Sequence, residues 1–162
     1  MHAIKIDCLV TELEYLSPEI LRVRFCPTKS FAFSPGQFMS LVIPGALKKD
    51  NGVRRCYSFA ASPESSLVKG YEICVKLVKD GKGAHFLKAL QVGDRFKALA
   101  PFGDFKLKAK NHRRNLCLIS TGTGIAPFRS MLGSLALRAC RYESITLLHG
   151  VRHENEIIFA KD

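Results

Sequence analysis

Polar and apolar residues alternate along the first two thirds of this chain. In Ile20-Leu21-Arg22-Val23-Arg24-Phe25, the residues Leu21, Val23 and Phe25 fall on one face and Arg22 and Arg24 on the other. That is the period of two of a half-buried strand. The same pattern recurs over Ile4 to Leu13, Gln37 to Ile43, Arg55 to Ala60, Tyr71 to Val78 and Arg95 to Ala100. Turn signals separate these segments at Ser17-Pro18, Ser34-Pro35-Gly36, Pro44-Gly45, Asn51-Gly52, Ser62-Pro63, Asp80-Gly81 and Gly93-Asp94. One short helical pattern, Ala84 to Leu90, interrupts them. Strands at this spacing predict a small antiparallel barrel, because closure removes the exposed edges of an open sheet.

The pattern changes near residue 110. Lys106 to Asn115 is polar and basic and reads as a linker. Beyond it come a continuous apolar run, Leu116-Cys117-Leu118-Ile119, a glycine turn, and a helix with Phe128, Met131, Leu132, Leu135 and Ala139 at helical spacing. A second apolar run, Ile145-Thr146-Leu147-Leu148, follows. This is a strand–helix–strand unit with parallel strands. Its crossover is expected to be right-handed, which puts the loop after the first strand at the carboxyl edge of the sheet, where open parallel sheets bind ligands. The expected organisation is a six-stranded antiparallel Greek-key barrel over residues 1–108, followed over 115–162 by part of a doubly wound parallel α/β domain.

Charge adds a constraint on partners. The 162 residues include 25 Lys and Arg against 14 Asp and Glu, a net charge of +11. Such a balance attracts acidic partners at long range. The basic residues are dispersed, with no recognition helix, zinc finger or RNA-binding aromatic signature, so an acidic protein or an anionic cofactor is expected rather than a specific nucleic acid. No apolar run reaches the ~20 residues that span a bilayer, and Met1-His2-Ala3-Ile4-Lys5 has no signal-peptide core; a cytoplasmic location is expected. The six cysteines are scattered, without histidines spaced to complete a metal site, so no metal or iron–sulfur cluster is expected. Most of them sit in apolar runs and are expected to be buried reduced thiols, while Cys56 is expected on the opposite strand face from its neighbours Arg55 and Tyr57. His2 and His112 read as exposed, His149 as a packing residue and His153 as a surface neighbour of Arg152.

Two segments carry chemistry. In Thr121-Gly122-Thr123-Gly124-Ile125-Ala126-Pro127 the glycines permit close approach of a phosphate, and Pro127 suits the first turn of a helix. The helix terminus adds about half a positive charge, so an anion is favoured there without a basic side chain. In Arg55-Cys56-Tyr57-Ser58, Arg55 and Tyr57 share a strand face and Ser58 points off it, which offers a cation, an aromatic face and a hydroxyl to a flat cofactor with a charged tail. Taken singly, each has a plainer reading. A glycine pair after a strand also serves as a tight turn, the third glycine of the usual dinucleotide fingerprint is Pro127 here, and an arginine and a tyrosine on a barrel strand also serve as surface charge and core edge.

Together, and in this order, the two segments resemble the ferredoxin–NADP reductase-like flavoproteins, which join an FAD-binding barrel to a nucleotide-binding α/β domain. The resemblance implies that Arg55 holds the FAD diphosphate, while Tyr57 stacks on the isoalloxazine and Ser58 sits by its N5, the two in catalytic positions. Tyr71-Glu72-Ile73-Cys74-Val75-Lys76 resembles the next barrel strand, whose backbone near Val75 and Lys76 lines the flavin. Gly81-Lys82-Gly83-Ala84-His85-Phe86-Leu87 is similar to the loop and helix start that receive the diphosphate, giving Gly83, Ala84 and His85 as candidates. Pro101-Phe102-Gly103-Asp104-Phe105 resembles the turn closing the barrel. Thr121, Gly122, Thr123, Gly124 and Pro127 match the pyridine-nucleotide loop, and Arg152 the position of an arginine that meets a 2′-phosphate in some members; pairing with Glu154 or Glu156 is its alternative.

There are two departures. Ala84 stands where many members carry Ser or Thr, so backbone amides are expected to replace that contact, and the sequence stops at Asp162, before the family's nicotinamide-pocket Cys-Gly segment and flavin-covering C-terminal residue. The implied activity is hydride transfer from NADPH or NADH to FAD, then electron transfer to an acidic carrier such as ferredoxin or flavodoxin, or to a flavoprotein partner. This stretch alone is expected to bind FAD and to turn over NAD(P)H slowly or not at all. The alternatives are a non-catalytic FAD-binding or electron-transfer subunit completed by another chain, with an oligomer covering the incomplete sheet, and a nucleic-acid-binding barrel favoured by charge alone.

Overall fold

The computed structural model describes residues 3–44, 53–107, 114–134 and 142–160. The predicted turns at Gly45 and Asn51-Gly52, the helix residues Leu135 and Ala139, most of the linker, His2, His112 and Cys140 fall outside them.

Six strands form one antiparallel sheet: β1 (Ile4–Ser17), β2 (Ile20–Pro27), β3 (Phe38–Ile43), β4 (Val53–Ser58), β5 (Tyr71–Lys76) and β6 (Arg95–Phe102). Their spatial order is β4-β3-β6-β1-β2-β5, and the pairing of β3 with β6 and of β2 with β5 makes the path a Greek key. The sheet curls into a half-open barrel. Among the described residues its two edge strands, β4 and β5, are joined by one bridge, from Phe59 just past β4 to Ile73. Inside lie the residues that the alternation selected, among them Leu21, Val23, Phe25, Met39, Leu41, Ile73, Val75 and Phe96. Each such side chain contributes about 1.5–3 kcal/mol by leaving water. The turn at 101–105 closes one end, with Gln37 Nε2 donating to the Gly103 carbonyl at 2.9 Å and the Phe38 and Phe102 rings stacked at 5.7 Å.

Two helices bracket β5. Helix α1 (Pro63–Lys69) replaces the turn expected at Ser62-Pro63: the Ser62 hydroxyl accepts from the Ser65 amide at 3.2 Å, Pro63 opens the first turn, and Gly70, at φ +87°, ends it. Helix α2 (Lys82–Ala89) covers the predicted helical pattern and buries Ala84 and Leu87 against the barrel.

The remaining described residues form the expected parallel unit. β7 (Asn115–Thr121) runs into a 3-10 turn at Gly122–Gly124, then α3 (Ile125–Leu132), and β8 (Ser144–Gly150) pairs with β7 from Asn115↔Ser144 to Thr121↔Gly150. Phe128 and Met131 of α3 pack on Leu118 of β7. The other side of α3 rests on the barrel, where Ile125 and Ala126 join Ile20, Ala60, Cys74 and Ile158 in one cluster. Ile119, Ile145, Leu147 and Leu148 remain exposed.

The cysteine expectation is corrected in part. Cys8 and Cys74 are buried, but Cys26, Cys56 and Cys117 are exposed. Apolar neighbours in sequence do not bury a strand residue whose phase points outward: Cys117 lies out with Ile119, whereas Leu118 and Ser120 lie in.

Candidate functional site

The face of β4 that carries Arg55 and Tyr57 is the core face of the sheet, because their cross-strand partners are Leu41 and Met39, both fully buried. Cys56, opposite Ser40, points to the other side and is exposed, as the strand period requires. At this end of the barrel β4 is an edge, so Arg55 reaches water while Tyr57 is half-buried against the core. The Arg55 guanidinium donates to the carbonyl of Arg54 at 2.9 Å, and among the described residues no carboxylate pairs with it. Burial pushes the Tyr57 phenol up from its ordinary range, and the neighbouring Arg55 opposes that shift. The phenol is thus a neutral donor at physiological pH.

The first turn of α2 closes on these residues. A side chain at Gly83 would place its Cβ 2.7 Å from the Tyr57 hydroxyl and 3.3 Å from Arg55 Cγ. Only glycine allows that approach without displacement. No side chain caps the start of α2, and its first turn carries no acidic residue, so its leading amides remain available beside Arg55. Ala84 is buried and supplies only its backbone there. His85 folds back instead, with Nδ1 3.1 Å from the Gly81 carbonyl. Since a carbonyl only accepts, Nδ1 carries the proton in that contact. Ser58 ends β4 opposite Phe38, partly exposed. On the facing edge, Val75 is buried and Lys76 pairs with Glu19 at 3.5 Å. The structure therefore brings Arg55, Tyr57, Gly83 and Ala84 together.

The glycine loop lies at the carboxyl edge of the parallel pair. Gly122 has φ +49° and open space where a Cβ would stand. Gly124, by contrast, has a φ of −62°, ordinary helical backbone, and a Cβ there would come no nearer than 3.9 Å to Ser120. Its value is the exposed backbone surface, not an unusual angle. No side chain caps the 3-10 turn. Pro127 is in the first turn of α3, the position its missing amide suits. Beyond β8, the Arg152 amide donates to Glu156 at 3.3 Å, and its guanidinium is exposed, with no ion pair to Glu154 or Glu156. Ser120 Oγ and His149 Nδ1, 2.9 Å apart, tie the carboxyl ends of β7 and β8 together.

A cleft of about 560 Å³ lies elsewhere, between β2, α1 and α3, and none of Arg55, Tyr57 or Gly83 lines it. It contains two residues that sequence reasoning passed over. Glu72, only 2% exposed, receives the Arg129 guanidinium of α3 at 2.7 Å and that of Arg24 at 3.0 Å. A carboxylate in an otherwise apolar strand was the signal in the sequence; its partner, 57 residues away, was not.

The described residues thus present an antiparallel half-barrel with a cationic, aromatic, amide-rich edge, docked on a parallel unit with a glycine loop. The family described as the oxidoreductase FAD-binding domain matches residues 7–107, and that of the oxidoreductase NAD-binding domain matches residues 118–162. The chain belongs to this oxidoreductase FAD-binding family. It is 34% identical over 146 residues to ferredoxin–NADP reductase B of Sorangium cellulosum, covering 89% of this chain and 57% of that protein. It is 32% identical to the toluate 1,2-dioxygenase electron transfer component of Pseudomonas putida, covering 85% of this chain and 38% of that one. Among solved structures, the Amycolatopsis cytochrome P450 reductase GcoB superposes with a TM-score of 0.85 at 29% identity over 98% of this chain and 46% of its own. A Neisseria gonorrhoeae ferredoxin NADP+ reductase with bound FAD and NADP shares the fold, with a TM-score of 0.81 at 23% identity over 99% of this chain and 62% of that one. The chain thus spans about half the length or less of most of these relatives.

Proposed function

We propose that this chain carries the flavin site and the first part of the nicotinamide-nucleotide site of an NAD(P)H-dependent electron-transfer reductase. Residues 1–108 form the FAD-binding unit and 115–162 the start of the NAD(P)-binding unit. The observation that carries this reading is the convergence of Arg55, Tyr57 and the uncapped first turn of α2, with Gly83 making room between them. These residues fit FAD. Arg55 and the leading amides of α2 hold the diphosphate, the amides standing in for the hydroxyl that Ala84 lacks. Tyr57 packs on the ring system, and its neutral phenol donates a hydrogen bond without adding charge. Ser58 offers its hydroxyl at the ring edge, and the backbone of Val75 and Lys76 lines the opposite side. The chemistry FAD supplies when bound is acceptance of a hydride from NAD(P)H and onward release of electrons.

The uncapped amides of Gly122, Thr123 and Gly124 meet the diphosphate of the pyridine nucleotide, flanked by Thr121 and Pro127. The exposed Arg152 guanidinium receives a 2′-phosphate when the nucleotide is NADPH. The net charge of +11 suits an acidic acceptor such as ferredoxin or flavodoxin, or an oxygenase component, in line with the names of the relatives. The exposed Ile119, Ile145, Leu147 and Leu148 support a second reading, an FAD-binding subunit whose sheet another chain covers. Gel filtration with mass analysis separates the two, since the second requires a stable oligomer.

The test of the main reading is the visible spectrum of the purified protein after incubation with FAD, followed by NADPH or NADH without oxygen. A retained yellow chromophore supports the assignment. A protein that stays colourless in excess FAD overturns it.

A further inference from the structure

Arg129 lies two residues past Pro127 on the helix that the glycine loop opens, and its guanidinium crosses to the barrel. One nitrogen, Nη1, donates to Glu72 Oε1 at 2.7 Å and to the Ala60 carbonyl at 3.0 Å. Glu72 belongs to β5, three residues before Val75; Ala60 is two residues beyond Ser58. A single side chain of the nucleotide unit is therefore fastened to both edges that flank the flavin site. The next residue repeats the tie, as Ser130 Oγ donates to the Ala61 carbonyl at 2.8 Å. The Phe159 ring lies 4.3 Å from the guanidinium carbon and holds it from the other side.

Glu72 is itself fixed. Arg24 holds its second oxygen at 3.0 Å, and Arg24 in turn pairs with Glu12, which pairs with Arg22 at 2.7 Å. An alternating chain of charges runs from β1 through β2 and β5 to α3. With Glu72 2% exposed, its carboxylate is held almost out of water between two guanidiniums, so loss of Arg129 removes half of its compensation and loss of Glu72 removes the anion that Arg129 and Arg24 share.

We propose that Arg129 and Glu72 are a positioning pair: they set the location of the glycine loop relative to the Arg55–Ser58 strand, and so the approach of a nicotinamide to the flavin. The alignment role rests on the function proposed above, whereas the brace itself does not. Hydride transfer depends steeply on approach, and a displacement of about 1 Å can cost up to a hundredfold in rate.

The test uses the exposed Cys26 on the barrel and Cys117 on β7 as spin-label sites in the full chain, with Cys56→Ser and Cys140→Ser to remove competing thiols. Thermal melts establish that each variant folds. In the apoprotein the Cys26–Cys117 distance distribution is expected to be single and narrow, to widen at least twofold in Arg129→Gln and in Glu72→Gln, and to be partly restored in Arg129→Lys. Distributions that superpose on the parent in both glutamine variants overturn the brace, whether or not FAD binds. In the FAD-loaded protein, the limiting rate of flavin reduction by NADPH is expected to fall about tenfold in Arg129→Gln while the NADPH Kd stays within twofold. Widened distances with an unchanged limiting rate overturn the positioning role. A parent protein that binds no FAD defeats the proposed function and the alignment role with it, one that binds FAD but is not reduced by NADPH overturns the alignment role in this chain, and in either case the distance measurement still decides the brace.

Discussion

Gly83→Ala is the sharpest probe of the flavin site. The added Cβ stands 2.7 Å from the Tyr57 hydroxyl, 3.3 Å from Arg55 Cγ and 3.6 Å from Ile43 Cδ1. Contacts under 3.0 Å do not persist, so the phenol must withdraw to about 3.4 Å, and the Arg55 stem must give slightly. Helix propensity favours alanine by up to ~1 kcal/mol, and overpacking costs ~1–3 kcal/mol. The apoprotein should therefore lose no more than about 3 kcal/mol, a fall in Tm of at most about 12 °C for a chain of this size. The effect on the ligand is separate. Displacing the Tyr57 ring forfeits a stacking contribution of about 0.5–1.5 kcal/mol, which weakens FAD roughly 2- to 12-fold. If Arg55 also leaves the diphosphate, a further ~1.5–3 kcal/mol is lost and the weakening exceeds a hundredfold at the upper end. Titrating the apoprotein with FAD, read by quenching of flavin fluorescence, measures this directly beside a thermal melt. A Kd within twofold of the parent, with the flavin spectrum unchanged, would refute the claim that α2 and Tyr57 enclose one ligand.

Gly124→Ala makes the opposite case: its Cβ meets nothing nearer than 3.9 Å, so the melt and FAD titration should not change while NADPH affinity falls several-fold in calorimetry. Arg55→Gln should leave stability within about 0.5 kcal/mol, since Arg55 is exposed and, among the described residues, bonded only to its neighbour's carbonyl, yet weaken FAD about 10- to 150-fold and reduce the salt dependence of that binding. Ser62→Ala removes the cap of α1 and should cost about 1 kcal/mol in urea unfolding. Burial, aided by Asp7 and Glu72 respectively, pushes the Cys8 and Cys74 thiols from 9.0 up to about 12. Between those values the unfolded chain has released protons that the native state retains, so stability should decline as pH rises through this window, and less steeply in a Cys8→Ala/Cys74→Ala variant. In native protein near pH 8, iodoacetamide should modify Cys26, Cys56 and Cys117 and spare Cys8 and Cys74.

How far the sequence could be read depended on whether each signal was local. β2 was plain because Leu21, Val23 and Phe25 keep strict alternation against the charged, partly exposed Arg22 and Arg24. β1 runs on to Ser17, past the predicted Leu13, because register shifts between Val10 and Glu12 and between Tyr15 and Ser17 break its period. α1 was hidden because seven residues hold too little periodicity, and its Leu67 and Val68 are exposed, so no apolar stripe marked it. Its N-terminal signal, Ser62 with Pro63 following, is legible, but those two residues predict a turn as readily as a helix start.

The order of the strands, the two chemistry-bearing segments and the choice of which strand face is buried follow from the sequence, because period, turn residues and glycine placement act over a few residues. Three things came only from the tertiary structure. The barrel stays half open between β4 and β5, Gly83 presses the start of α2 onto Tyr57 and Arg55, and Glu72 binds Arg129 across the two units. Each joins residues far apart in the chain, and such contacts are set by how whole elements pack rather than by any local pattern.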